Sequence, residues 1–257
     1  MPTLQLHTLT FAYPEQTPVF ENHSLTLAAS TGLCGIIGPS GTGKTTLVSI
    51  LGGQLKPQQG EVLVAGTNIY EVNDRARQSL IGVQMQASTS LRGKLRENLE
   101  FGLPPAHCQN AHTEEALISL LIDVGLWDLF KDKKGLQTLI GEGGLNLSGG
   151  QRQRLNFASL FLRTSYYKPR LLLIDEPTSS LDEISEQAIT RMIATLAESA
   201  LTLVVAHRLK TLDKANAILD ISLASTSREL KFLKRSELLK ESSYYQALRN
   251  GKAELDS

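Results

Sequence analysis

Residues 33–46 read LCGIIGPSGTGKTT, and no other stretch of this chain restricts its folding as much. A short apolar run enters a glycine-rich turn, and the turn enters KTTLVSILGG, which reads as a helix. Gly38 to Thr46 carries the pattern G-x-x-x-x-G-K-[ST] between that strand and that helix. This is the context in which the pattern signifies a phosphate-binding loop. Its glycines let the backbone wrap a phosphate chain and turn N–H groups inward. Gly38, Ser40, Gly41, Thr42, Gly43 and Thr46 then form the cradle. Lys44 reaches the β and γ phosphates, and the Thr45 hydroxyl ligates Mg²⁺.

The patterning around the loop says what kind of sheet carries it. Residues 3–30 alternate apolar and polar, which suggests antiparallel strands. GEVLVAG (60–66) is a further strand between glycines, and residues 90–165 read as mostly helical. There Thr113 is an expected N-cap, with Leu117, Leu120, Leu121 and Val124 on one stripe. After residue 170, RLLLID is a strand, and 183–200 a helix with Ile189, Met192, Ile193 and Leu196 on one face. LTLVVA is again a strand.

Strands alternating with helices imply a parallel sheet covered on both faces. The expected class is α/β: a P-loop NTPase parallel sheet core, an N-terminal antiparallel β subdomain and an inserted α-helical subdomain. Residues 1–257 form one domain in this reading. Its core and β subdomain take 1–88 and 161–257, and its helical part takes 89–160.

Composition narrows the partners. Lys+Arg and Asp+Glu balance at 26 each, which is no footprint for bulk nucleic-acid binding, and none is expected. Two cysteines, Cys34 and Cys108, form no disulfide framework, so a reducing compartment is the default. MPTLQLHTLTF lacks the basic and apolar regions of a signal peptide. The longest apolar runs, such as LLLI and LVVA, are strand-length, far short of the roughly 20 residues of a membrane span. The expectation is a soluble, cytoplasmic protein whose membrane role comes through a partner.

RLLLIDEPTSSLD (170–182) places acids where a buried strand ends, and ligands of open α/β sheets sit at that edge. Asp175 is suited to the Mg²⁺ shell, and Glu176 to polarising an attacking water. Acids also gather at helix N-termini because the helix dipole favours them, which accounts for Asp182 and Glu183. It does not account for an Asp-Glu pair directly after four apolar residues. His207 leaves the strand LTLVVA and can contact a γ-phosphate, holding Glu176 and water in line. A lone histidine at a strand end is otherwise commonly structural. His7, His23, His107 and His112 occupy no such position.

LNLSGGQRQRLNF (145–157) looks redundant beside the loop at 38–46. Ser148 and Gln151 form an S-x-x-Q capping box, starting a helix at about Gly149 that buries Leu155, Ala158 and Leu162. A cap alone needs only the serine and the glutamine. Gly149 and Gly150 add close backbone approach, as at a second phosphate cradle.

Taken in order, these segments resemble the nucleotide-binding domain of ATP-binding cassette (ABC) transporters over nearly the whole chain. Walker A is GPSGTGKT (38–45), the glutamine loop VQMQAS (83–88) with Gln86, and the signature LSGGQ (147–151). Walker B is LLLIDE (171–176), the D-loop SSLD (179–182), and the switch histidine lies in AHR (206–208). LRGKLRENLEFGLP (91–104), TLIGEGGLNLSGGQ (138–151) and the tail SELLKESSYYQALRNG (236–251) resemble the exporter-type branch.

The resemblance implies an active ATPase that uses ATP and Mg²⁺. Tyr13 stacks on adenine, and Thr45, Asp175 and Gln86 hold the metal. Glu176, His207, Lys44 and Gln86 carry catalysis. Ser148, Gly149, Gly150, Gln151 and Asp182 meet the nucleotide of a second ABC ATPase chain packed head to tail, in a homo- or heterodimer. Glu142 lies near the coupling helices of a transmembrane permease, domain or subunit, which moves with the helical insert and keeps the chain peripheral on the cytoplasmic face. The exporter branch usually fuses ATPase and membrane parts, so the chain is either a separate subunit or a piece of a longer one. Met85 stands where the family has proline, Ser159 where it has arginine, and 216–233 lack the glycines of the late hairpin. A soluble ABC ATPase acting on DNA or ribosomes fits less well, lacking a long heptad insertion and a basic surplus. A P-loop kinase leaves LSGGQ without a role.

Overall fold

The structure is a computed structural model that describes residues 3–86, 92–108, 113–141, 145–179 and 181–251. The chain opens with β1 (Leu4–Phe11) and β2 (Phe20–Leu27), then β3 (Gly32–Ile37), which feeds the loop and α1 (Lys44–Leu51). β4 (Gln59–Val64) and the short β5 (Thr67–Asn68) follow, then α2 (Asp74–Gln78), capped by the Asn73 side chain, and β6 (Ile81–Gln84).

Helices dominate the next part: α3 (Leu95–Leu99) after β7 (Gly93–Lys94), α4 (Pro105–Cys108), α5 (Glu114–Asp123), and α6 (Gly149–Tyr167) after β8 (Leu139–Ile140). Alternation then resumes with β9 (Leu171–Asp175), α7 (Glu183–Ser199), β10 (Leu201–Val205) and β11 (Ala217–Asp220). The chain ends in β12 (Glu229–Leu230), α8 (Arg235–Glu241) and α9 (Ser243–Arg249).

Two larger sheets result. The antiparallel one runs β12-β2-β1-β4-β5, with β12 joining in parallel at its edge, and the all-parallel one runs β11-β3-β10-β9-β6. Every residue of β9 and β10 is buried, because helices and the other sheet cover both faces. Period-two alternation divides these strands between two cores. Leu172, Ile174 and Val204 join the apolar faces of α5, α6 and α7, while Leu171, Leu173 and Val205 join α1 and the antiparallel sheet. Thr113 caps α5 by accepting the Ala116 N–H at 3.2 Å, and Leu117, Leu120, Leu121 and Val124 are buried. Of the expected stripe on α7, Ile189, Ile193 and Leu196 are buried and Met192 packs against that core from its edge.

α6 runs unbroken through residue 160 and packs on both α3 and β6, so one helix belongs to the insert and to the core. Without glycines to reverse tightly, residues 216–233 take another route. Asp220 accepts the Ser222 N–H and caps a 3-10 turn over Ile221–Ser225. One antiparallel bridge, Ile218 to Leu233, remains of a hairpin. Buried Ser159 donates its hydroxyl to the Phe101 carbonyl at 3.4 Å. Met85, in place of proline, packs half-buried against the core beneath the antiparallel sheet. Among the described residues, no helix is long and apolar enough to cross a membrane.

Candidate functional site

The loop after β3 is shaped by its glycines. Gly43 sits at φ 97°, where a side chain is strained, and a β-carbon there would come within 2.6 Å of Val19. Gly41, at φ 77°, faces open space, so its demand is conformational alone. Thr42 closes the turn by donating its hydroxyl to the Pro39 carbonyl at 2.8 Å. Lys44 is buried, and its ammonium donates to the Gly38 and Pro39 carbonyls, each at 2.8 Å. Burial lowers its pKa, while the carboxylates of Glu176, Asp175 and Asp220 oppose the shift. Tyr13 leans over α1: its hydroxyl shares a hydrogen bond with Thr46 at 3.1 Å, and its ring meets Phe11 edge-on at 5.1 Å.

β9 and β10 end beside this loop. Asp175 is fully buried, and neither of its carboxylate oxygens has a hydrogen-bond partner. Burial raises its pKa to about 6. The facing Thr45 side chain and the Lys44 charge offset part of that rise without supplying a well-formed hydrogen bond. Two orphaned oxygens on a buried carboxylate, opposite an exposed threonine hydroxyl, are a donor set suited to a hard divalent cation. Among the described residues no group of three acids, histidines or cysteines is placed to hold a metal ion by itself, so further ligands to such a cation would come from phosphate and water.

Glu176 leaves the strand at φ 48°, in the left-handed region that a non-glycine residue occupies at a cost of roughly 1–3 kcal/mol. That turn lets both consecutive acids act on the Lys44 side of the sheet edge. The backbone is over-determined there. The Glu176 N–H donates to the Val205 carbonyl at 3.1 Å, and the Glu176 carbonyl accepts the Gln153 side-chain amide at 2.6 Å. The carboxylate is gripped at each end. Gln86 donates from Nε2 to Oε2 at 2.7 Å, and His207 Nε2 lies 2.5 Å from Oε1.

The segment after His207 is anchored to α7. Buried Glu186 accepts from the Arg208 guanidinium at 2.6 Å and from the Thr211 hydroxyl at 3.4 Å.

These groups surround a cleft of about 720 Å³, lined by Tyr13, Ser40, Gly41, Gly43, Lys44, Thr45, Thr46, Gln86, Glu176 and His207. Ser179 of the D-loop and Arg208 of AHR also line it, together with Gln16, Val19 and Thr178, which were not singled out in the sequence. Gly38 and Thr42 belong to the same loop without lining the cleft, and Asp175 lies buried, facing Thr45.

The other expected site residues do not line this cleft. Ser148 and Gln151 cap α6 reciprocally: Gln151 Oε1 accepts the Ser148 N–H at 2.8 Å, and Ser148 Oγ accepts the Gln151 N–H at 3.2 Å. Ser148 and Gly149 are exposed and Gly150 is half-exposed, so the start of α6 faces outward. Asp182 spends its carboxylate capping α7, accepting the Ser185 N–H at 3.0 Å and hydroxyl at 2.9 Å. Glu142, Ser180, His112, and Ala87 and Ser88 at the end of the glutamine loop lie outside the described residues.

Gln153 and Glu186 are the contributors that sequence reading missed. Gln153 had a signal: it occupies an i, i+4, i+7 stripe with Phe157 and Leu160, all buried, where a polar side chain needs a reason. Glu186 had none, since its partners lie 22 and 25 residues away.

Comparison with known proteins follows the same lines. Residues 20–179 match the family model described as ABC transporter. A multidrug resistance ABC transporter ATP-binding and permease protein of Lactococcus lactis subsp. cremoris is 37% identical over 84% of this chain and 35% of its own length. An ATP-dependent lipid A-core flippase of Paraburkholderia xenovorans is 38% identical over 72% of this chain and 29% of its own. A solved structure of a bacterial Atm1-family ABC exporter with ATP bound superposes with a TM-score of 0.80 at 26% identity, over 98% of this chain and 42% of that one. The chain thus spans about a third of the length of these curated relatives.

Proposed function

Since the chain belongs to the ABC transporter family, as an ATP-binding and ATP-hydrolysing domain of the exporter type, we propose that it powers substrate translocation by a membrane partner through ATP-dependent pairing of two such domains. The observation that carries this is the division of the expected nucleotide contacts. One set lines the cleft, while Ser148, Gly149 and Gly150 face outward at the start of α6. A helix N-terminus presents free N–H groups and a favourable dipole to an anion. A second chain packed head to tail would bring its nucleotide's γ-phosphate to this one, and Asp182 to the same interface. The pair is a homodimer or a heterodimer.

In this reading Tyr13 stacks on adenine, and the 38–46 loop binds the phosphates through backbone N–H groups and Lys44. Asp175, Thr45 and Gln86 would hold Mg²⁺, which supplies neutralisation of charge on the transferring phosphoryl group. Glu176 orients the attacking water. Its carboxylate is fixed by His207 and Gln86, so little reorientation is needed at the moment of reaction. Gln86 also joins the core to the helical part. Loss of the γ-phosphate is thereby felt by residues 89–160, the surface on which a permease domain or subunit would ride. The chain then sits at the cytoplasmic face of a membrane through that partner.

The experiment is light scattering of the Glu176→Gln chain with and without ATP and Mg²⁺. An ATP-dependent doubling of mass is expected. A monomer at saturating ATP overturns the pairing.

A further inference from the structure

α6 is placed to do two things at once. Its first turn carries the outward-facing Ser148–Gly150, and its second carries Gln153, which points the other way into the core. Gln153 is 4% exposed. Its amide donates to the main-chain carbonyl of Glu176 at 2.6 Å, and its own Oε1 is left without a hydrogen-bond partner. A half-satisfied buried amide is a net cost to folding, and an apolar side chain of the same size would pack this stripe at no such penalty. What the amide gains is a fixed carbonyl on Glu176, a non-glycine residue whose backbone is left-handed and adjacent to the chemistry.

The helix around Gln153 is rigidly seated. Arg152 donates to the Leu147 carbonyl, and Arg154 to the Gly125 carbonyl at 2.8 Å. A tilt of α6 therefore carries the amide with it, and the Glu176 peptide is the group that must follow. Rotation about that peptide re-aims the carboxylate between His207 and Gln86.

We infer that Gln153 is a positioning residue for hydrolysis: it ties the aim of the Glu176 carboxylate to the placement of the helix whose N-terminus meets the second chain's nucleotide. The residue touches no reacting atom and acts through Glu176. This rests on the reading of Glu176 as the water-orienting group.

The test is Gln153→Met in the full chain, which keeps the volume and removes the donor, alongside Gln153→Glu, which keeps the shape and sets a carboxylate against the carbonyl. The expected result for Gln153→Met is a kcat lower by about 10- to 100-fold, with KM for ATP and the melting temperature near wild type. Gln153→Glu is expected to lose more. ATP-dependent mass doubling in the Glu176→Gln background is expected to survive Gln153→Met. Wild-type kcat in Gln153→Met overturns the inference, as does a loss of activity that merely tracks a lowered melting temperature or a lost dimer. Glu176→Gln supplies the separate control. If that chain hydrolyses ATP at the wild-type rate, the reading of Glu176 itself fails, whatever Gln153 does.

Discussion

His207 Nε2 stands 2.5 Å from Oε1 of Glu176, across a gap of 31 residues. With Gln86 on the other oxygen at 2.7 Å, the carboxylate has little freedom left. Two elements that meet only at the edge of the parallel sheet therefore determine how the acid presents itself to the cleft. The pairing also gives the histidine a definite task, which its position at a strand end did not establish alone.

Replacing Glu176 with Gln keeps the shape of the site and removes the carboxylate proposed to orient the attacking water. Turnover is expected to fall by about 10²- to 10⁴-fold, with ATP affinity retained, because the phosphate loop is untouched. Phosphate release and titration with a fluorescent nucleotide separate the two. His207→Ala leaves Glu176 with Gln86 alone, and a fall of about 10- to 100-fold in kcat is expected. Full kcat in His207→Ala would make the contact incidental.

Gly43 cannot become alanine without damage to the cradle. At φ 97° a side chain is disfavoured, by roughly 1–2 kcal/mol in left-handed backbone. The added carbon also meets Val19 at 2.6 Å. The loop must shift, and its N–H groups shift with it. Nucleotide titration of Gly43→Ala is expected to show ATP binding weakened by about tenfold or more, the equivalent of about 1.4 kcal/mol. Unchanged affinity would mean that the loop relaxes without disturbing its N–H groups.

The sequence carried what is local. The strand–loop–helix at 33–51, the acids ending β9, and the capping box at Ser148 and Gln151 each depend on residues within a few positions of one another. What it did not carry depends on distant partners. The grip on the Glu176 carboxylate comes from residues 31 and 90 positions away, and its left-handed backbone is held by Gln153 and Val205 rather than by any propensity of glutamate. Asp182 shows the opposite case, where a local role was the visible one: its carboxylate caps α7, as the acid-rich helix start suggested.

Glu186 links α7 to the segment carrying the histidine. Glu186→Ala removes the acceptor of Arg208 and Thr211. Arg208 is half-exposed and can turn to water, so the loss of stability is expected to be about 1–2 kcal/mol rather than that of a fully buried pair. Because His207 precedes these anchors, kcat is expected to fall while KM for ATP holds. Denaturant unfolding and steady-state kinetics check the two parts independently.

The two thiols are expected to differ in reactivity. Cys34 is 2% exposed within β3, and burial pushes its pKa to about 11. Cys108 is only partly buried, though its pKa is also raised by desolvation and by the nearby Glu100. The thiolate is the reacting species, so iodoacetamide at about pH 8 is expected to modify Cys108 slowly and Cys34 only after unfolding. Peptide mass spectrometry with and without guanidinium reads this directly. Because the folded-state pKa of Cys34 lies above its unfolded value of 9.0, its contribution is fully present below pH 9 and is lost as pH rises toward 11.

The start of α6 separates a monomer effect from a dimer effect. A β-carbon on Gly149 meets nothing within 4 Å in its own chain, and Gly149 is helical and exposed. Gly149→Ala is therefore expected to leave the melting temperature unchanged or slightly raised, since alanine favours helix by up to about 1 kcal/mol over glycine. If a second chain's phosphate packs against this backbone, the same methyl stands in its way. ATP-dependent mass doubling in the Glu176→Gln background is then expected to weaken in Gly149→Ala. It should vanish in Ser148→Arg, which also removes half of the capping box, and ATP binding to the monomer should persist in both. Undiminished pairing in both variants would place the second chain elsewhere on the surface, and the outward face of α6 would be no more than a capped helix end.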